Sequence, residues 1–394
     1  MDFRFTEEQE MVQKSAKQFG KRWAPRMDEL HRSAVEDGAL DRSFFLELAE
    51  AGFAGSLIPE QYGGTGMGLT PLAIAMEAMA SEGVGSALVM LTQMNALCIL
   101  RAGPDPLRER YLPRVASGEL VMAFAITEPD AGSNSFRMVS VAERRGQDIV
   151  LNGTKTFITG VDVADEVLVI ARSMPYEERK AKNVPKTAGF NVVMVDPKAA
   201  GFSMTELPTR GIEGLKQWTL HFDDVVCEAV VGEEHMGIIP MFDVLNAERT
   251  LAAAAALGMT ERLLNKAVEY ARERKVFGDR AIGSYQAIQH PLAEIKAELE
   301  AVRLLFYKCA TMFDQGARPM EIGPYATMCK YLAGELAIKA ADHALQTFGG
   351  SGFSAETGMI DAYVNARLLR TAPISREMVL NQVAEHVLGL PRSY

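Results

Sequence analysis

The chain has 394 residues, 48% hydrophobic and 23% charged, enough apolar material for two or three globular domains. Its formal net charge of −10 argues against the clustered-cation surfaces that nucleic acids and anionic membranes require. Four cysteines, Cys98, Cys227, Cys309 and Cys329, make no CxxC pair, which speaks against a disulfide framework or a metal site and for a reducing compartment.

The opening MDFRFTEEQE is polar and acidic, unlike a signal or transit peptide, and no uncharged apolar run is long enough to cross a bilayer. A cytoplasmic location is expected. Residues 1–120 read as a helical domain. Thr6 and Gln9 have capping-box spacing before a helix, and SFFLELAEAG and PLAIAMEAMASEG predict further helices. Between them, PEQYGGTGMG lacks the spacing of a phosphate-gripping glycine loop and reads as a structural turn.

Residues 121–233 read as a β-domain of hairpins without the αβ alternation of a dinucleotide-binding fold. In DIVLNGTKTFIT, Asn152-Gly153 predicts a hairpin turn between two arms. EVLVIA, GFNVVMV and QWTLHF predict strands, and the stretch from Met174 to Thr187 a charged surface loop. Residues 234–394 return to long helices, implying a C-terminal bundle, with Pro291 expected in the first turn of its helix.

Four motifs occur in order: FAITEPDAGSNS (124–135), NGTKTFIT (152–159), RKVFG (274–278) and QTFGGSGF (346–353). Together with the order helical, β, helical, they resemble the acyl-CoA dehydrogenase family across essentially the whole chain. The resemblance implies an α+β multidomain fold: an N-terminal helical domain, a middle β-barrel-like domain and a C-terminal four-helix bundle. It also implies FAD as cofactor, an acyl-CoA substrate, an electron-transfer flavoprotein as acceptor and a homotetramer. Phe124, Ile126 and Thr127 match residues lining the flavin ring, and Gly132 and Ser133 match contacts to flavin phosphate or acyl-CoA. Phe157 matches the stacking aromatic, often Trp in the family, and Thr159 the hydroxyl that reaches the ring. On a regular strand these two share a face; without the resemblance they read as an ordinary core Phe and surface Thr. Arg274 and Phe277 match contacts to the FAD pyrophosphate and adenine of a neighbouring subunit, Gln286 matches a further contact, and Gln346, Gly349 and Gly350 match the other side of that ADP site. Ser375 is a further cofactor position, and Asn246 and Arg249 join Ser133 at the substrate.

The family reaction removes an α-proton from the acyl thioester with a carboxylate, while a hydride leaves the β-carbon for the flavin. Many members carry that base as a Glu in a YEGT stretch, which falls here on Ala372-Pro373-Ile374-Ser375. Pro373 offers neither a carboxylate nor the N–H that in the family polarises the thioester carbonyl. Isovaleryl-CoA and long-chain members instead use a Glu-Arg pair on a long helix, matched by Glu248-Arg249. Eleven uncharged residues, Thr250 to Thr260, follow that pair, so the helix should be buried there and its carboxylate partly desolvated. Glu377 is the alternative base. Val364-Asn365 and Asn246 also depart from the family's usual Arg-Asp and Asp. These departures leave open an enoyl-CoA reductase or nitroalkane-type oxidase on the same scaffold, or a catalytically silent flavin- or CoA-binding partner.

Overall fold

The computed structural model describes residues 3–185, 187–212 and 214–392. These form two compact units. One holds Asp28–Gly68 and Ser86–Glu248; the other holds the chain up to Met27, Leu69–Gly85 and the chain from Arg249 on.

Helices fill the first third: α1 (Glu7–Trp23), α2 (Met27–Arg32), α3 (Arg42–Glu50), α4 (Leu69–Ser81), α5 (Ala87–Ala102) and α6 (Asp105–Ala116). The capping box before α1 forms as its spacing predicts. The Gln9 N–H donates to Thr6 Oγ1 at 3.2 Å, and the Thr6 N–H to Gln9 Oε1 at 3.1 Å. The PEQYGGTGMG glycines serve the chain's own packing: a Cβ added at Gly64 would stand 1.9 Å from the Ile58 carbonyl oxygen.

Eight strands follow: β1 (Met122–Ala125), β2 (Val141–Arg145), β3 (Asp148–Thr159), β4 (Glu166–Arg172), β5 (Phe190–Val195), β6 (Phe202–Leu207), β7 (Gln217–Val226) and β8 (Ala229–Val230). They form one sheet in the order β6-β7-β3-β2-β4-β5-β8, with β1 parallel to β4. That parallel pair means the domain is not built of hairpins alone. Every residue of β4 and β5 is buried, the apolar runs Val167–Ala171 and Val192–Val195 together with the polar Glu166, Arg172 and Asn191. Leu151, Ile158, Val169, Val193, Leu220 and Phe222 lie in the core on the sheet.

The hairpin expected at Asn152-Gly153 is not there. The chain reverses between β2 and β3 at Arg145–Asp148, and Asn152-Gly153 lies inside β3 at a register slip against β7. Asn152 is held from the side: its Oδ1 accepts the Asp224 N–H at 2.9 Å and its Nδ2 donates to Asp224 Oδ1 at 2.8 Å. Gly153 takes φ +138° where an added Cβ would come within 2.3 Å of Ser140 Oγ. The residue types that make tight turns here make a bulge. The charged loop after Met174 also differs from expectation. It contains the short helix α7 (Tyr176–Ala181), and the side chain of Arg179 is buried.

The remaining elements are α8 (Ile238–Glu273), the small hairpin β9 (Lys275–Val276) and β10 (Arg280–Ala281), α9 (Gln286–Asp314), α10 (Pro319–Phe348), α11 (Met359–Leu368) and α12 (Arg376–Gln382). Pro291 lies inside α9 rather than in its first turn, because the helix begins at Gln286. Within this unit α4 packs between α1 and α9. Its first N–H groups are capped from a distance: Asp314 accepts from Leu69 N at 2.6 Å and Thr70 N at 2.7 Å. Midway along α4, buried Glu77 accepts from Arg303 Nε at 2.6 Å and from the Tyr307 hydroxyl. Among the described residues no helix is long and apolar enough to cross a membrane.

Candidate active site

Strand β1 delivers the first motif. Its backbone is fixed by two buried polar residues of α5: the Met122 N–H donates to Thr92 Oγ1 at 2.9 Å, and Asn95 Nδ2 donates to the Ala123 carbonyl at 2.9 Å. Phe124, Ile126 and Thr127 are half-buried beside buried Ala123 and Ala125, while Gly132 and Ser133 are exposed beyond the bridge from Glu128 to Ala131.

The second motif meets the first directly, since the Thr156 N–H donates to the Thr127 carbonyl at 2.9 Å. A second register slip against β7 falls between Lys155 and Ile158, and within it Phe157 takes φ +56°. That conformation is rare for an aromatic residue and is sustained only where surroundings over-determine it. Phe157 is 57% exposed, Ile158 beside it is buried, and Thr159 is half-buried with its hydroxyl donating to Gln217 Oε1 at 2.9 Å. The bulge replaces the simple two-residue alternation, yet Phe157 and Thr159 both remain outside the core.

Between these motifs sits an ion pair that sequence reasoning missed. Lys155 and Glu128 are both buried and lie 2.8 Å apart. Burial pushes the Lys155 ammonium down to about 8, against the pull of Glu128. Burial works to raise Glu128, but the Lys155 cation and hydrogen bonds from Lys155, Val139 and Ser140 hold it below its ordinary value. The signal was present in the sequence: Lys155 is the one charged residue of the second motif, and Glu128 and Asp130 are the two of the first.

On α8, Asn246 and Glu248 are both buried, with Glu248 6% exposed. The following stretch, Thr250 to Thr260, is buried at most positions, as its lack of charge requires. Arg249 turns elsewhere: its Nη1 donates to Thr327 Oγ1 on α10 at 3.4 Å, and Thr327 donates to Gln382 Oε1 on α12 at 3.2 Å.

The loop between α11 and α12 contains a cis Ala372-Pro373 bond. Buried Lys330 of α10 donates to the carbonyls on both sides, Leu369 and Ile374, each at 2.6 Å. Arg370 grips Glu335 with two bonds of 2.8 and 2.6 Å. Ser375 Oγ is engaged as the cap of α12, accepting the Met378 N–H at 3.3 Å. Glu377 lies in the first turn of that helix with its side chain 72% exposed, in contrast to Glu248.

The last group gathers at the ends of α8 and α10. Tyr270, one turn before Arg274, stacks on Phe348, next to Gly349, with centroids 4.2 Å apart. Arg274, Gln286, Gln346, Gly349 and Gly350 are exposed, and Phe277 stands 95% exposed at the tip of the β9–β10 hairpin. Among the described residues, no atom beyond the adjoining backbone lies within 4 Å of a Cβ built on Gly349 or Gly350, so their backbone is open to close approach. An exposed aromatic ring beside a hydroxyl suits a flat heteroaromatic ring. An exposed guanidinium and open glycine backbone each suit a diphosphate, so each group fits its part of FAD.

Models of the acyl-CoA dehydrogenase N-terminal, middle and C-terminal domains match residues 6–119, 123–225 and 235–388. The chain is 42% identical over 351 residues to acyl-CoA dehydrogenase FadE12 of Mycobacterium tuberculosis, covering 88% of each. It is 32% identical to a 3-(aryl)acrylate reductase of Clostridium sporogenes, covering 98% of this chain and 99% of that one. Among solved structures, butyryl-CoA dehydrogenase of Megasphaera elsdenii superposes with a TM-score of 0.88 at 28% identity, covering 98% of this chain and all of that one. An FAD complex of PigA superposes with a TM-score of 0.87 at 26% identity, covering 99% of this chain and 100% of that one. The chain belongs to the acyl-CoA dehydrogenase family of FAD-dependent flavoproteins.

Proposed function

We propose that this acyl-CoA dehydrogenase introduces the α,β double bond of its acyl-CoA with Glu248 as the base that takes the α-proton. When bound, FAD supplies the acceptor for the hydride that leaves the β-carbon. The observation that carries the base assignment is burial: Glu248 is a buried carboxylate at the head of an uncharged helical stretch, whereas Pro373 has none and Glu377 faces water. Removing a carboxylate from water disfavours its charged form and strengthens it as a base toward a weakly acidic carbon acid.

Phe124, Ile126, Thr127, Phe157 and Thr159 would hold the flavin ring. Arg274, Phe277, Gln286, Gln346, Gly349, Gly350 and Ser375 would hold the remainder, with Gly132 and Ser133 at phosphate or acyl-CoA. Ser133, Asn246 and Arg249 would orient the substrate. Since Pro373 has no N–H, the thioester carbonyl must take its hydrogen bond from elsewhere, and the Ile374 N–H is the nearest candidate along the chain. The Ala-rich wall after Glu248 favours a branched or cyclic acyl group. The exposure of Arg274 and Phe277 supports a homotetramer in which each adenosine end is gripped by a neighbouring copy, and an electron-transfer flavoprotein is the fitting electron acceptor in the cytoplasm. Adding straight, branched and cyclic acyl-CoAs anaerobically to the holoenzyme tests this reading: one class bleaches the visible flavin band.

A second reading, reduction of an enoyl thioester or acrylate, is favoured by the similarity to the 3-(aryl)acrylate reductase. Re-oxidation of chemically reduced enzyme by an unsaturated thioester, with no bleaching by any saturated one, would replace the first reading with it.

A further inference from the structure

Lys155 is fully buried in β3, and its ammonium carries three hydrogens. Three acceptors meet it: the Ile126 carbonyl at 3.0 Å, Glu128 Oε1 at 2.8 Å and Met138 Sδ at 3.7 Å. All three belong to one stretch, residues 126–138. Glu128 continues the same work, accepting the Val139 N–H at 2.6 Å and the Ser140 N–H at 3.1 Å. From the next position of β3, the Thr156 N–H holds the Thr127 carbonyl. Buried Arg172 closes the far end, donating from Nε to the Met138 carbonyl at 2.8 Å and from Nη2 to the Phe136 carbonyl. Phe157, with its positive φ, comes two residues after Lys155.

A dry ion pair is an inefficient way to stabilise a fold, because apolar residues of similar size commonly serve as well. What it adds is geometry, since each hydrogen bond pins a particular backbone atom. We infer that the Lys155–Glu128 pair is a positioning device that sets where the Phe124–Thr127 wall stands relative to the Phe157 ring, and thereby how firmly the flavin is gripped. The inference rests on the reading of those residues as the flavin wall. Lys155 and Glu128 act through the loop and are not catalytic residues.

The test is the double variant Glu128→Gln/Lys155→Met. It removes both charges, keeps an amide oxygen for one of the Val139 and Ser140 N–H groups, which in the wild type donate to different carboxylate oxygens, and releases the Ile126 carbonyl. The FAD-free variant should stay folded and melt in a single transition a few degrees below the wild type. Its FAD dissociation constant should rise by roughly tenfold or more, the scale on which loss of a supporting shell is felt. The visible band of the flavin still bound should shift as well. Glu128→Asp, which keeps the opposite charge but shortens its reach, read out identically, should show a smaller change in the same direction and serves if the double variant does not fold. Wild-type FAD affinity and an unshifted band in a folded variant overturn the inference. Phe157→Ala separates the two levels: if it too leaves affinity and band unchanged, the flavin-wall reading fails, whereas a change in Phe157→Ala alone removes only the positioning role.

Discussion

Two residues show how far local chemistry carries and where it stops. Asn152-Gly153 has the sequence of a tight turn, and its need for unusual backbone was legible; that the need arises from Ser140 and Asp224, distant in sequence, was not. Gly153→Ala should therefore destabilise the protein by about 1–3 kcal/mol in chemical denaturation, since the added methyl meets Ser140 at 2.3 Å. Glu166 is a second case, charged in sequence yet 6% exposed at the start of β4. Burial, then the charge of Glu228, raises it from 4.5 to about 7. The folded state thus holds a proton that the unfolded state releases at lower pH. This group's contribution is fully present below about pH 4.5 and is lost as pH rises toward 7. Glu166→Gln should gain stability relative to wild type between about pH 5 and about pH 8, and denaturation curves across that range check the sign. A constant difference would show that Glu166 is ionised in both states.

At the scale of elements, the helices with continuous patterns were readable: α1 from its capping box, α8 from its uncharged stretch, and α9 and α10 from their length. Boundaries were less so, as Pro291 shows, because a helix tolerates a proline past its first turn when neighbouring packing compensates. The cap of α4 could not have been read, for it comes from Asp314, over two hundred positions later. Asp314→Ala frees two N–H groups at once and should cost about 0.5–2 kcal/mol by chemical denaturation, with Asp314→Asn milder. An unchanged midpoint would mean that other groups satisfy the start of α4. The candidate site divides in the same way. Its motif residues were legible because their types are restricted. The buried groups that hold them, Glu128, Lys155, Arg172 and Lys330, required knowledge of what folds against what.

At the scale of the molecule, the progression from helices to strands and back was visible in composition and periodicity. The joining of α1 and α4 with the C-terminal helices in one compact unit was not, since nothing local marks it. Assembly is tested at this scale. Phe277 is 95% exposed, so Phe277→Asp should leave folding intact while, under the proposed assembly, lowering FAD retention and the content of the proposed tetramer in sedimentation. Full retention of both would remove Phe277 from the proposed shared cofactor site. The central claim, Glu248 as the base, is tested most directly by anaerobic single-turnover flavin reduction in wild type, Glu248→Gln and Glu377→Gln with the best acyl-CoA. The account predicts that Glu248→Gln keeps its FAD and slows reduction by about 10²-fold or more, while Glu377→Gln stays near wild type. Rapid reduction in Glu248→Gln together with its loss in Glu377→Gln would contradict the account and place the base on α12.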